Sequence, residues 1–181
     1  CYQTKIVMSS ALNLNPLEPR SFEHSGIEPW VTRVLLVDDD PAFVEEARDH
    51  LSTNGIEIEC AACSQEAEHR FERNDQINLV ITDLMMPGES GLQFLTNLKD
   101  RYGATRVYEA IVVTGGGDVG AAVEALRLEV VDFIAKPVSP KNLLRAILKA
   151  QEKAKLRYLR SERTKVLREE LGRRKETIET V

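Results

Sequence analysis

"VVTGGGDVGAAVEAL", residues 112–126, joins an apolar run to a glycine-rich turn and then to residues of helical pattern. Gly115, Gly117 and Gly120 stand in the spacing G-x-G-x-x-G behind a strand-like segment, the arrangement of a dinucleotide site. What surrounds it decides the fold. In a dinucleotide-binding fold the fingerprint opens the first β-α turn, and an acid follows about 20 residues on. Here the glycines open the fourth β-α turn, one more apolar run follows, and the acid's place is taken by Lys136-Pro137. A nicotinamide site is therefore rejected. The glycines are read as a tight turn of small residues beside a phosphate.

The same alternation runs outward in both directions. Arg33–Val37 is a short apolar run ending in acids, as expected of a strand buried on both faces. Asp40-Pro41 caps a helix that carries Phe43, Val44, Ala47 and Leu51 and stops at Asn54-Gly55. Ile56–Cys60 is the second strand and Ser64–Arg73 a helix capped by Ser64. Ile77–Thr82 is the third strand, followed by a helix over Gly91–Asp100. Tyr108–Thr114 is the fourth, with a helix over Asp118–Leu128 capped by Asp118. Val131–Ala135 is the fifth, stopped by Pro137. Pro140 then opens a long helix reaching about Leu171. Five β-α units predict a parallel sheet with helices on both faces.

Bulk properties agree with one such domain plus appendages. The chain has 181 residues, 43% hydrophobic and 29% charged, with a net charge of −5. Residues 151–181 hold ten Lys/Arg against six Asp/Glu, so an acidic body carries a basic extension. Nothing in this balance indicates nucleic acid as a partner. No apolar run approaches the ~20 residues of a membrane helix, and residues 1–7 are too short in apolar core for a secretory signal. Residues 1–31, with Pro16, Pro19 and Pro29, read as a disordered tail. Cys60 and Cys63 form a C-x-x-C but lack the partners of a metal site, and read as small packing residues in a reducing cytosol. His24, His50 and His69 read as surface residues.

Ligands of an open parallel sheet sit at the carboxyl ends of its strands. The first strand ends in Asp38-Asp39, the third in Asp83, the fourth in Thr114 and the fifth in Lys136. Three carboxylates cannot sit bare together, because like charges a few ångströms apart raise one another's pKa. A hard cation such as Mg²⁺ relieves this and keeps positions open for phosphate oxygens. With a lysine and a hydroxyl added, the set suits phosphoryl transfer to a carboxylate.

Four stretches, "VLLVDDD" (34–40), "LVITDLMMPGESG" (79–91), "AIVVTGG" (110–116) and "DFIAKPVS" (132–139), resemble in order and spacing the signature blocks of the receiver domain of bacterial two-component response regulators. The resemblance covers residues 32–150. It implies a flavodoxin-like (βα)5 fold of strand order 2-1-3-4-5, with a C-terminal helical extension. It also implies Asp83 as phosphoacceptor and Asp38, Asp39 and Asp83, with the Met85 carbonyl, as holders of Mg²⁺. Thr114 would be the switch hydroxyl, Lys136 the phosphate-binding lysine before a cis proline, and Phe133 the aromatic switch residue. Where the family most often has Ala after the hydroxyl, this chain has Gly115.

The function expected is a cytoplasmic signalling switch, not an enzyme with a separate substrate, phosphorylated by a histidine kinase or phosphotransfer protein. A Mg-dependent phosphohydrolase and a phosphorylation-independent adaptor are the alternatives; short connections argue against the first and the full acid–hydroxyl–lysine set against the second. Leu156, Leu159, Val166, Leu167 and Leu171 on the extension suggest a homodimer through 151–181, although Arg163 interrupts the heptad.

Overall fold

The computed structural model describes residues 31–116 and 119–179. The proposed tail, apart from Val31, and the Asp118 cap lie outside the described residues. Strands β1 (Arg33–Val37), β2 (Glu57–Ala61), β3 (Leu79–Asp83), β4 (Glu109–Thr114) and β5 (Asp132–Ala135) alternate with helices α1 (Pro41–Thr53), α2 (Ser64–Arg73), α3 (Gly91–Tyr102), α4 (Val119–Arg127) and α5 (Pro140–Glu179). All strand pairs are parallel, in the order β2-β1-β3-β4-β5. The expected fold class is the observed one.

The apolar runs form strands because both faces are covered. Leu35, Val37, Val80 and Val112 point to one side and pack against Ala67 and Phe71 of α2, Leu92, Phe94, Leu95 and Leu98 of α3, and Ala125 of α4. Val34, Leu36, Ile81, Ile111 and Val113 point to the other, against Ala47 and Leu51 of α1 and Leu143, Ala146, Ile147 and Ala150 of α5. The order reverses between β1 and β3, so the crevice at their carboxyl ends is the place for a ligand.

Caps fix the helix starts. Asp40 accepts from the N–H groups of Ala42 and Phe43 at 3.0 and 3.4 Å, as expected. Ser64 does not cap α2. Cys63 occupies the cap position, Glu66 reaches back to the Ala62 N–H at 3.0 Å, and the Ser64 hydroxyl turns to the Glu89 carbonyl at 3.3 Å. A glutamate inside the first turn thus closes this end. His50 is half-buried rather than on the surface, with a buried Nε2 that has no partner.

The last helix is longer than its periodicity suggests. It continues through Gly172 to Glu179, 40 residues or about 60 Å. Its packing on the body also passes residue 150: Ala154 is only 1% exposed. Beside it, Lys153 and Arg157 hold the buried carboxylate of Glu109, each at 2.9 Å.

Candidate functional site

Parallel register sets the site. Val37 pairs with Thr82 across β1 and β3, so Asp38 and Asp83 leave adjacent strands side by side. Asp83 pairs with Val113, one residue short of Thr114, and Thr114 pairs with Ala135, one short of Lys136. Main-chain hydrogen bonds continue the ladder into the loops: Asp38 N–H to the Ala61 carbonyl at 3.1 Å, Leu84 N–H to Val113 at 2.8 Å, and Lys136 N–H to Thr114 at 2.6 Å. The Lys136–Pro137 bond is cis.

Asp38, Asp39 and Asp83 each turn one carboxylate oxygen into a space where all three lie within 4.8 Å of one another. Lys136 Nζ enters from β5, 2.7 Å from Asp38 Oδ2 and 2.7 Å from Asp83 Oδ2. The ring of Phe43 lies under the ammonium, 4.9 Å away. Asp83 Oδ1 accepts from the Met85 N–H at 3.1 Å, and Asp38 Oδ1 from the Asp40 N–H at 3.0 Å.

One ammonium does not balance three carboxylates. Burial pushes the Asp38 carboxyl above its ordinary range, only partly offset by Lys136 and the Asp40 N–H. Burial pulls the Lys136 ammonium down, but its bonds to Asp38 and Asp83 outweigh this and leave it raised. Lys136 therefore divides its one charge between Asp38 and Asp83, each at 2.7 Å. Asp38 Oδ2 is thus buried with the shared Lys136 ammonium as its ion-pair partner, 2.7 Å away. A buried oxygen so placed, among other hard oxygens, fits a small divalent cation such as Mg²⁺.

The remaining expected residues fall around this centre. Thr114 is buried, its hydroxyl donating to the Gly116 carbonyl at 2.9 Å and accepting from the Gly116 N–H at 3.2 Å. Phe133 is half-buried against the core under α2, α3 and α4. Met85 is 71% exposed at the rim. A Cβ at Gly115 or Gly116 would meet nothing within 4 Å, so no crowding requires these glycines.

Two neighbours of the site escaped the sequence reading. Gly91 opens α3 directly under Asp83, where a side chain would collide with the Asp83 carbonyl oxygen and the Thr82 hydroxyl. Thr82, wholly buried, bonds that same carbonyl at 3.1 Å. The signal available was the glycine two residues after Gly88-Glu89, before a helix. Such a glycine reads equally as a loop residue.

Residues 34–148 match the family model of the response regulator receiver domain. The chain belongs to this family. The receiver is 36% identical over 119 residues to the transcriptional regulatory protein FixJ of Rhizobium meliloti, covering 66% of this chain and 56% of that one. It is 32% identical over 114 residues to the two-component response regulator PprB of Pseudomonas aeruginosa, covering 63% and 42%. It thus spans about half the length of these curated relatives. Among solved structures, a response regulator receiver protein from Pseudomonas putida is 36% identical with a TM-score of 0.62, over 66% of this chain and 97% of that one. A receiver domain protein from Clostridium thermocellum is 30% identical with a TM-score of 0.64, over 70% and 98%. The function is that of a two-component response regulator receiver, in phosphorelay signal transduction. A Mg-dependent phosphohydrolase finds no support among these relatives. Among the described residues no helix is long and apolar enough to cross a membrane.

Proposed function

We propose that Asp83 takes a phosphoryl group from the phosphohistidine of a histidine kinase or phosphotransfer protein. A carboxylate oxygen of Asp83 attacks phosphorus, the phosphorus–nitrogen bond breaks, and the imidazole leaves with its electron pair to be protonated. Asp38, Asp39 and Asp83, with the Met85 carbonyl, would hold Mg²⁺. When bound, the ion neutralises charge on the carboxylates and the transferring group. Lys136, already beside Asp83, carries the balancing charge for the acyl phosphate. Thr114 exchanges its bonds with Gly116 for a phosphoryl oxygen, and Phe133 moves into the space released.

The observation that carries this reading is the bridge made by Lys136, 2.7 Å from oxygens of both Asp38 and Asp83. It sets a fixed cation where negative charge accumulates during transfer. On this reading the chain catalyses only its own phosphorylation and dephosphorylation, in the cytoplasm. Its parts are a tail over 1–31, a receiver over 32–150, and a helix over 151–181 that leads to an effector or pairs with a second copy. Incubation with acetyl phosphate and Mg²⁺ should add one acid-labile phosphate by intact mass. The adduct should vanish in Asp83→Asn or with EDTA; an equally modified Asp83→Asn protein refutes the assignment.

A further inference from the structure

The opposite end of the sheet from Asp83 carries a site of the other sign. Residues 103–107, the loop between α3 and β4, face the part of α5 that leaves the body. Between them lies an open cleft of about 570 Å³. It is lined by Arg106, Arg157, Arg160 and Lys165, with Ser161, and by the single acid Glu162. In a chain with 24 Lys/Arg and 29 Asp/Glu this is a local reversal of charge.

The four cations are not equally engaged. Arg157 is paired with Glu109 at 2.9 Å and bonds the Tyr108 carbonyl at 3.2 Å. Arg106 is half-buried, its guanidinium 3.8 Å from the centre of the Phe71 ring. It donates to the main-chain carbonyls of Phe71, Asn74 and Ile77, and its Nε is buried without an acceptor. Arg33 and Arg70, the other half-buried arginines among the described residues, each pair with a glutamate, at 2.5 and 2.7 Å. Arg106 makes no ion pair among the described residues, and burial pulls its pKa below the ordinary range, offset only in part by the charge of Asp75. Arg160 and Lys165 make no ion pair among the described residues.

We propose that this cleft binds a small phosphate-bearing anion, of the size of a di- or triphosphate group. Arg106, Arg157, Arg160 and Lys165 line one cleft whose only acid is Glu162, so an anion entering it meets an excess of positive charge, and guanidinium forks match phosphate oxygens. The volume lies in the range of small-ligand sites. A bound anion would join the loop to α5 and fix the direction in which the helix leaves the body. The inference is independent of phosphorylation at Asp83, since the two sites lie at opposite ends of the strands.

The test is a titration of the full chain with inorganic triphosphate in EDTA, followed by amide NMR shifts. Without metal, the carboxylates around Asp83 repel the ligand, so binding there is suppressed. Saturable shifts are expected over 103–107 and 157–165. They should weaken about tenfold or more in the Arg160→Glu, Lys165→Glu double variant. Both positions are exposed, and an unchanged thermal transition will show that the fold is kept. ATP binding as tightly as triphosphate locates recognition in the phosphate chain, and tighter binding adds the nucleoside; both support the site. No saturable shift, shifts unaffected by the charge reversal, or binding of duplex DNA without binding of triphosphate would overturn it.

Discussion

Gly91 has no room for a side chain, because the first turn of α3 closes directly on the main chain of Asp83. Gly91→Ala should destabilise the fold by about 1–3 kcal/mol, the usual cost of overpacking. It should also slow phosphorylation, since the carbonyl it displaces belongs to Asp83. A wild-type melting temperature and rate would show that the backbone yields there without consequence. The acidic centre makes a second demand. Three clustered carboxylates, two of them sharing one lysine, leave the metal-free fold short of positive charge. Mg²⁺ at about ten times its Kd should stabilise by about 1.4 kcal/mol, raising the melting temperature by about 3–6 °C. Asp39→Ala, exposed and remote from the core, should remove that rise; an undiminished rise would place the ion elsewhere. Asp38, Asp39, Asp83, Thr114 and Lys136 were legible in sequence because each ends an apolar run. Gly91 was not, because a close approach between chain segments leaves no mark in periodicity.

At the scale of elements, β4 carries a buried polar residue at each end. Thr114, at the carboxyl end, bonds Gly116, and Glu109, at the other end, receives Lys153 and Arg157 of α5. The hydroxyl end belongs to a pattern shared by four strand ends. Glu109 read simply as the edge of a strand, since its partners lie more than 40 residues away on a helix whose body-facing side could only be found by folding the chain. Ser64 went wrong for a related reason: serine before a helix usually caps it, but Glu66 was close enough to take the cap's role. The Thr114 hydroxyl is held by Gly116 in this state. Beryllofluoride, standing in for the phosphoryl group on Asp83, should shift NMR signals of Gly115, Gly116 and the Phe133 ring together. In Thr114→Ala the shift at Phe133 should be lost. Its persistence would separate the ring from the hydroxyl.

Over the whole molecule, one sheet and its helices were predictable from five repeats of one pattern, while the reach of α5 was not. The apolar pattern fades at about Leu171, yet a charged helix already anchored on the body propagates through the single glycine Gly172 at a cost near 1 kcal/mol. Past Arg157, Leu159, Val166, Leu167 and Leu171 stand 36–61% exposed. Successive residues turn by about 100°, which sets these side chains away from the face that packs on the body. A second helix would bury them. The full chain should sediment as a dimer at micromolar concentration, and Leu159→Glu with Leu167→Glu as a monomer with an unchanged receiver fold. A monomeric wild-type chain, phosphorylated or not, would leave the helix as a connector.

On the proposed function, one carboxylate, Asp83, becomes the acyl phosphate. Borohydride reduces an acyl phosphate to a primary alcohol, so treatment after acetyl phosphate and Mg²⁺ marks the residue that carried the phosphoryl group. Peptide mapping should find Asp83 converted to homoserine, with Asp38 and Asp39 unchanged. Homoserine at Asp38 or Asp39, or at no position in a chain that had gained phosphate, would contradict the account.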